Sequence, residues 1–302
     1  MKLIDSHVHV VQYIAGTGAG GELRSIGGGM ARYADGQVVR MIPEQFHSDS
    51  FTPEQLLEVM DSNGVERAVL LQGNFYGFQN YYTYQAMKKY PDRFTGAAGY
   101  DPYSFHKDQI RRYLFEELGF RIEKFEVSTG SGLMAVHPDF RIDSERMDEA
   151  FSYANDQGHV VVIDIGKCKG PSWQIEALRK EVMRYPDMKF VACHLLAPSA
   201  KDEACFTEAL KRLTLPNLWF DLASVVHNCR EAENPYQQAL HYVELAAQIV
   251  GTDKLLFGTD LPSVLKEDSY ENCVGYIRRS GLLTEEDQEK IFYKNSCEVY
   301  FK

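Results

Sequence analysis

Val160-Val161-Val162-Ile163-Asp164 is the stretch on which the reading of the fold turns. Four β-branched residues in a row are apolar on both faces of an extended chain, so both faces have to be covered. Helices on either side of a parallel sheet give that cover, whereas a half-solvated strand alternates apolar with polar residues. This run occupies 159–165. Working outward, comparable runs occur at 2–10, 67–72, 94–100, 121–127, 189–194, 218–223 and 254–260.

Helical patterns separate these runs. Thr52-Pro53-Glu54-Gln55 supplies an N-cap hydroxyl, a proline at the first helical position and a capping-box glutamine, and Asn63-Gly64 ends that helix. Further helical stretches read at 80–90, 104–118, 143–157, 172–185, 198–213, 235–250 and 268–280, with a last one from Thr284. Eight alternating units predict an α/β fold closed as a (β/α)8 TIM barrel. An open doubly wound sheet is the rival. Gly27-Gly28-Gly29 follows no strand-to-helix junction and lacks dinucleotide spacing, so it reads as loop.

The 302 residues are 44% apolar and 25% charged, an ordinary globular composition that excludes disordered, collagen-like and coiled-coil chains. A barrel uses this length as one domain, 1–302. The glycine-rich stretch 11–51 is too long for an ordinary loop, and it is expected to hang over the C-terminal face as a lid or substrate loop. The net charge of −11 repels phosphate backbones, so no nucleic acid partner is expected. Asp5 interrupts the start before a signal-like apolar region forms, and no run approaches bilayer length, so a cytoplasmic protein without membrane contact is expected. Six scattered cysteines without a C-x-x-C pair fit buried thiols better than a disulfide or zinc framework. A homodimer is the working expectation for the assembly.

In a barrel the chemistry sits at the C-terminal strand ends. His7-Val8-His9 ends the first strand, and side chains at i and i+2 share a side, so both imidazoles can chelate one ion. Lys124 and Glu126 share a face of strand four, Asp164 ends strand five, His194 strand six and Asp260 strand eight. Each alone has a bland alternative: buried hydrogen-bonding histidines, helix-capping aspartates, a structural Lys–Glu pair. Together on one rim they favour a metal-centred site, because a divalent cation satisfies carboxylates and imidazoles at once. In the loops of the same face lie Asn74, Tyr76, Ser128, His137, His227 and Arg230, with Arg24, Arg32, Arg40 and His47 in the first long loop. Lys124, Glu126, Asn74, Tyr76, His137 and His227 are the candidates for holding substrate, while His106, His159 and His241 are given no function.

With those residues in view, the chain resembles the amidohydrolase superfamily, in its amidohydrolase-related branch with aminocarboxymuconate semialdehyde decarboxylase and aromatic-acid decarboxylases. The resemblance rests on Ile4-Asp5-Ser6-His7-Val8-His9, Phe190-Val191-Ala192-Cys193-His194 and Leu256-Phe257-Gly258-Thr259-Asp260-Leu261-Pro262, with weaker support at 57–69 and 90–94. It implies that His7 and His9 are metal ligands, Asp260 a ligand or proton acceptor, and His194 the general acid/base. One position departs: where the branch usually ends strand five with a metal-binding histidine, this chain has Asp164-Ile165-Gly166. A carboxylate there adds charge and hardness, moving preference from zinc toward manganese or magnesium without excluding zinc, or else Asp164 touches no metal. A carboxylated Lys124 bridging two metals ranks below a single ion, zinc first and manganese second.

The implied reaction is metal-dependent hydrolysis of a small organic acid, ester or lactone. Decarboxylation of an aromatic or muconate-type acid is the alternative, and a catalytically silent metabolite-binding barrel is a reading of another class. TatD-type nucleases share the H-x-H start, but the acidic charge argues against them.

Overall fold

The eight apolar runs become one ring of parallel strands. The computed structural model describes residues 2–301. Its strands, in chain order, are β1 (Ile4–Val8), β2 (Ala15–Gly18), β3 (Gly21–Gly27), β4 (Met30–Tyr33), β5 (Val38–Arg40), β6 (Arg67–Leu70), β7 (Phe94–Gly96), β8 (Ala98–Gly99), β9 (Ile122–Glu126), β10 (Val160–Asp164), β11 (Lys189–Ala192), β12 (Leu218–Asp221) and β13 (Leu255–Leu256). β1 pairs with β6 and β6 with β7, while β8 to β13 pair in sequence, all parallel. β7 and β8 are one third strand that changes partner at Ala97. The ring closes between the last strand and the first: Ser6 N–H donates to Phe257 O at 2.9 Å, Asp260 N–H to His7 O at 2.8 Å and His9 N–H to Leu261 O at 2.7 Å. The molecule is therefore the expected TIM barrel.

Strand alternation divides the buried residues into two sets. Val69, Leu71, Ile122, Val162, Val191 and Trp219 cluster inside the ring, and Val299 and Tyr300 of the C-terminal helix join them. Ala68, Leu70, Phe125, Val161, Ile163 and Phe190 face the helices in the larger core. Register sets Glu126 beside Asp164 on neighbouring strands, so two acids meet at one rim.

The helices start where the side chains provide caps. Thr52 Oγ1 accepts from Gln55 N at 3.2 Å and Gln55 Oε1 accepts from Thr52 N at 2.8 Å, the capping box read from sequence. Ser144 and Asn234 cap Glu145–Asp156 and Pro235–Val250 with one bond each, accepting from Met147 N and Gln237 N. The helix expected over 198–213 is Glu203–Arg212, because His194, Leu195, Leu196 and Ala197 all take positive φ and Pro198 follows. The helix expected over 104–118 is α-helical at Lys107–Arg111 and π-helical at Arg112–Glu117.

The stretch 11–51 differs from its irregular expectation. β2 to β5 form an antiparallel four-stranded sheet. The glycines that obscured it are its turns: Gly28 and Gly29, φ 62° and 75°, make the two-residue connection between β3 and β4. The sheet is tied over the barrel mouth by Ala15 N–H to Tyr76 O, Thr17 N–H to Asn74 O and Ala19 N–H to Gly130 O. A Cβ on Gly16 would lie 2.0 Å from Phe75 O, so only glycine permits this approach. Among the described residues no helix is long and apolar enough to cross a membrane.

Candidate active site

Three histidines converge on the barrel mouth, and each is held by its Nδ1. His7 Nδ1 lies 3.0 Å from Asp221 Oδ2, His9 Nδ1 3.0 Å from Leu71 O and His194 Nδ1 3.1 Å from Ala223 O. With Nδ1–H donating to each oxygen, every Nε2 is left as a lone-pair donor for a cation, the arrangement that metal-ligating histidines need. The His7 and His9 ring centroids lie 5.3 Å apart and those of His7 and His194 4.7 Å.

Asp260 completes the group. Its Oδ1 lies 3.1 Å from His9 Nε2 and 3.9 Å from His7 Nε2, and its Oδ2 accepts from Ser224 Oγ at 2.7 Å. Ligand atoms around a tetrahedral zinc at the usual bond lengths are about 3.3 Å apart, so these separations fit a shared ion. His7, His9 and Asp260 form one of two metal-capable groups among the described residues. The other, His7 with His194 and Asp221, is less suited, because Asp221 already accepts from His7 Nδ1, His194 N at 2.9 Å and Ala223 N at 3.1 Å.

The electrostatics agree with a site made for positive charge. Burial lowers His7 to about 4 despite Asp221, leaving the ring neutral. Burial opposes the charge of Asp260, yet the imidazoles around it, His9 first, hold its carboxyl far below the usual range wherever they carry a proton. Asp221 is held low against the same burial by the His7 ring and the His194 N–H. His194 moves the other way: burial disfavours its charge, but Asp164, Asp221 and Asp260 raise it. Lys124 sits below, its Nζ 2.8 Å from Cys193 Sγ; burial opposes its charge, while Cys193, Asp164 and Glu126 keep it firmly an ammonium.

Asp260, His194 and Ser224 have φ of 72°, 59° and 56°. Left-handed backbone costs a non-glycine residue about 1–2 kcal/mol, and such strain gathers where side chains must be aimed.

Asp164 stands apart from the His7–His9–Asp260 group: its Oδ1 accepts Gly166 N–H at 2.8 Å, and its Oδ2 lies 3.7 Å from His194 Nε2. Glu126 is engaged as a clasp, accepting from Ser128 and Ser131 hydroxyls and from Asn74 N at 3.2 Å. Asn74 thus joins through its backbone. Tyr76 is buried as a wall, its ring 5.5 Å from that of His9. His137 pairs with Asp101 at 2.7 Å and His227 with Glu267 at 2.7 Å, outside the cluster. Asp221 and Ser224 were not foreseen. Asp221 carries the signal used for Asp164 and Asp260, an acid closing an apolar strand; Ser224 carries none.

The amidohydrolase family profile matches residues 4–302. The chain belongs to the amidohydrolase family. No curated protein matches the sequence. Among solved structures, this amidohydrolase is similar to a probable 2-pyrone-4,6-dicarboxylic acid hydrolase from Acinetobacter baumannii with citric acid bound, at TM-score 0.73 and 16% identity over 100% of both chains. It is similar to an amidohydrolase from Burkholderia multivorans with bound zinc, at TM-score 0.75 and 15% identity over 100% of this chain and 99% of the other. A 5-carboxyvanillate decarboxylase from Sphingomonas paucimobilis matches at TM-score 0.58 and 14% identity over 86% of each chain. At these identities the likeness is one of fold.

Proposed function

We propose that the chain is a metal-dependent hydrolase of a small organic acid, ester or lactone. The observation that carries this reading is the convergence of three Nε2 atoms and the Asp260 carboxylate, each histidine fixed by its other nitrogen. His7, His9 and Asp260 are the ligands; a divalent ion bound there, zinc or manganese, supplies Lewis acidity toward a carbonyl and a lowered pKa for water.

The protein's own groups divide the remaining work. Asp260 is too weak a base to hold a proton at neutral pH, which suits a ligand. His194, whose proton affinity three carboxylates raise against burial, suits the transfer: neutral, it takes a proton from water, and charged, it returns that proton to the leaving oxygen. Asp164, 3.7 Å from His194 Nε2, acts on that imidazole through its charge in place of a fifth-strand ligand. The Lys124 ammonium, with two carboxylates near it, favours binding an acidic substrate over becoming a carbamate.

Decarboxylation is the second reading, favoured by the similarity to a carboxyvanillate decarboxylase and by the same His194 as proton donor to carbon. Screening lactones and aromatic acids in 18O-labelled water separates the two, since hydrolysis incorporates the label and decarboxylation releases carbon dioxide. Turnover abolished by Asp260→Asn is expected. A panel that binds without turnover, with affinities indifferent to Asp260→Asn, would instead indicate a silent binding barrel.

A further inference from the structure

The two halves of the proposed metal group meet at the seam where the ring closes, His7 and His9 at the end of β1 and Asp260 beyond β13. The paired part of β13 ends at Leu256, short of Asp260, and Asp260 itself takes a φ of 72°. A segment that has left its ladder and carries a left-handed aspartate needs bonds of another kind to keep one conformation.

Asp5 supplies them. Its side chain is fully buried, and its two oxygens collect four donors. Oδ1 accepts Thr259 N–H at 3.0 Å and His7 N–H at 3.3 Å, while Oδ2 accepts the Thr259 hydroxyl at 2.7 Å and the Tyr270 hydroxyl at 3.0 Å. Thr259 Oγ1 in turn accepts Leu261 N–H at 3.3 Å, so one hydroxyl spans Asp260 from the residue before it to the residue after it. The strand is shaped for this contact. Between Asp5 and Val8, β1 advances three residues against two of β6, a bulge that lets Asp5 turn to Tyr270 while His7 and His9 face the mouth. An apolar residue would seal the seam at less cost, since a buried carboxylate is expensive even when bonded. What the carboxylate adds is a fixed distance between two backbones.

We propose that Asp5 is a positioning residue of the metal group: it holds the backbones of His7 and Thr259 on one carboxylate and so sets Asp260 opposite His7 and His9. The inference rests on the reading of those three residues as ligands, but the placement of Asp260 is measurable without an ion.

The test uses the full chain and two readouts. Asp5→Asn keeps the shape and replaces one acceptor oxygen by a donor, and Thr259→Val removes the hydroxyl while keeping the N–H. Ser6→Ala is the control: it removes a buried hydroxyl pair from the same strand, Ser6 Oγ to Ser296 Oγ at 2.6 Å, and leaves the Thr259 bonds in place. Zinc affinity, read by competition with a chromophoric chelator, should fall about 10- to 100-fold in Asp5→Asn and Thr259→Val and stay within about twofold of wild type in Ser6→Ala. Crystal structures of the chelator-treated proteins should show Asp260 Oδ1 displaced by more than about 0.5 Å in the first two variants, beyond the tolerance of a preorganised site, and unmoved in the control. Should Asp5→Asn fold poorly, the near-isosteric Thr259→Val carries the test. Asp260 unmoved in the folded variants, or zinc held by them as tightly as by the wild type, would overturn the proposal, as would an equal loss in Ser6→Ala. A wild type that takes up no zinc, with Asp260 still displaced in the variants, would overturn the metal reading and support the positioning role of Asp5.

Discussion

Among the described residues, two fully buried imidazole–carboxylate pairs are built from the same parts. His7 Nδ1 lies 3.0 Å from Asp221 Oδ2 in the barrel mouth, and His159 Nδ1 lies 2.9 Å from Glu123 Oε1 between the barrel wall and its helices. Neither pair has a side chain more than 2% exposed. What separates them is where the remaining atoms point. His7 Nε2 looks toward Asp260, and the second oxygen of Asp221 collects the His194 and Ala223 N–H groups. His159 Nε2 meets Arg121 at 3.4 Å, its ring is packed on Phe115, and Glu123 Oε2 has no partner. One pair aims a free lone pair into a cluster of ionisable groups, whereas the other ends in packing. Burial and pairing alone therefore do not mark a site; an unspent nitrogen among convergent donors does.

The comparison is broken most strongly by removing the two histidines in turn. His7→Ala should lower kcat/KM by about 10³-fold or more, since it removes a ligand of the proposed ion. His159→Ala should leave turnover per folded molecule unchanged, measured on protein quantified by active-fraction titration. Equal losses in both would show that the two pairs do the same work.

Stability should rank the pairs by a different logic. Taking one partner from the wall pair, as in Glu123→Ala, leaves a buried imidazole beside Arg121 and should cost about 3–5 kcal/mol in urea unfolding. A shift below about 1 kcal/mol would mean that water already serves the orphaned Glu123 oxygen. Asp221→Ala tests the other carboxylate, whose function is to orient His7: metal affinity should fall about 10- to 100-fold, read by competition with a chromophoric chelator.

A pH dependence is expected as well. Burial puts the folded His7 near 4, against an ordinary value of 6.5. Between those values the unfolded chain binds the proton and the native chain does not, so stability falls as pH drops through that window. For chelator-treated protein the loss should be on the order of 3 kcal/mol, and His7→Gln should flatten it. A native state that gains stability on acidification there would mean His7 is charged in the fold.

Much of this was legible in the residues. Val160–Asp164 announced a covered strand, Thr52 and Gln55 announced a capped helix, and His7-Val8-His9 announced two side chains on one face, because each depends on local spacing alone. The sheet of residues 15–40 was hidden because its strands are short and its turns are glycines, which read as loop until hydrogen bonds pair them. The direction of Asp164, toward His194 and not toward His7 and His9, depends on barrel geometry around strands that no spacing rule connects. Ser224 owes its place to a left-handed backbone after β12, which a serine does not advertise.

The central claim is that His7, His9 and Asp260 hold a metal ion while the chemically similar His159 pair holds none. Elemental analysis of untagged protein purified without chelator, beside His7→Ala and His159→Ala, tests it most directly. About one equivalent of zinc or manganese per chain is expected in the wild type and in His159→Ala, and none in His7→Ala. Wild-type protein that stays empty after reconstitution, or metal retained in full by His7→Ala, would contradict it.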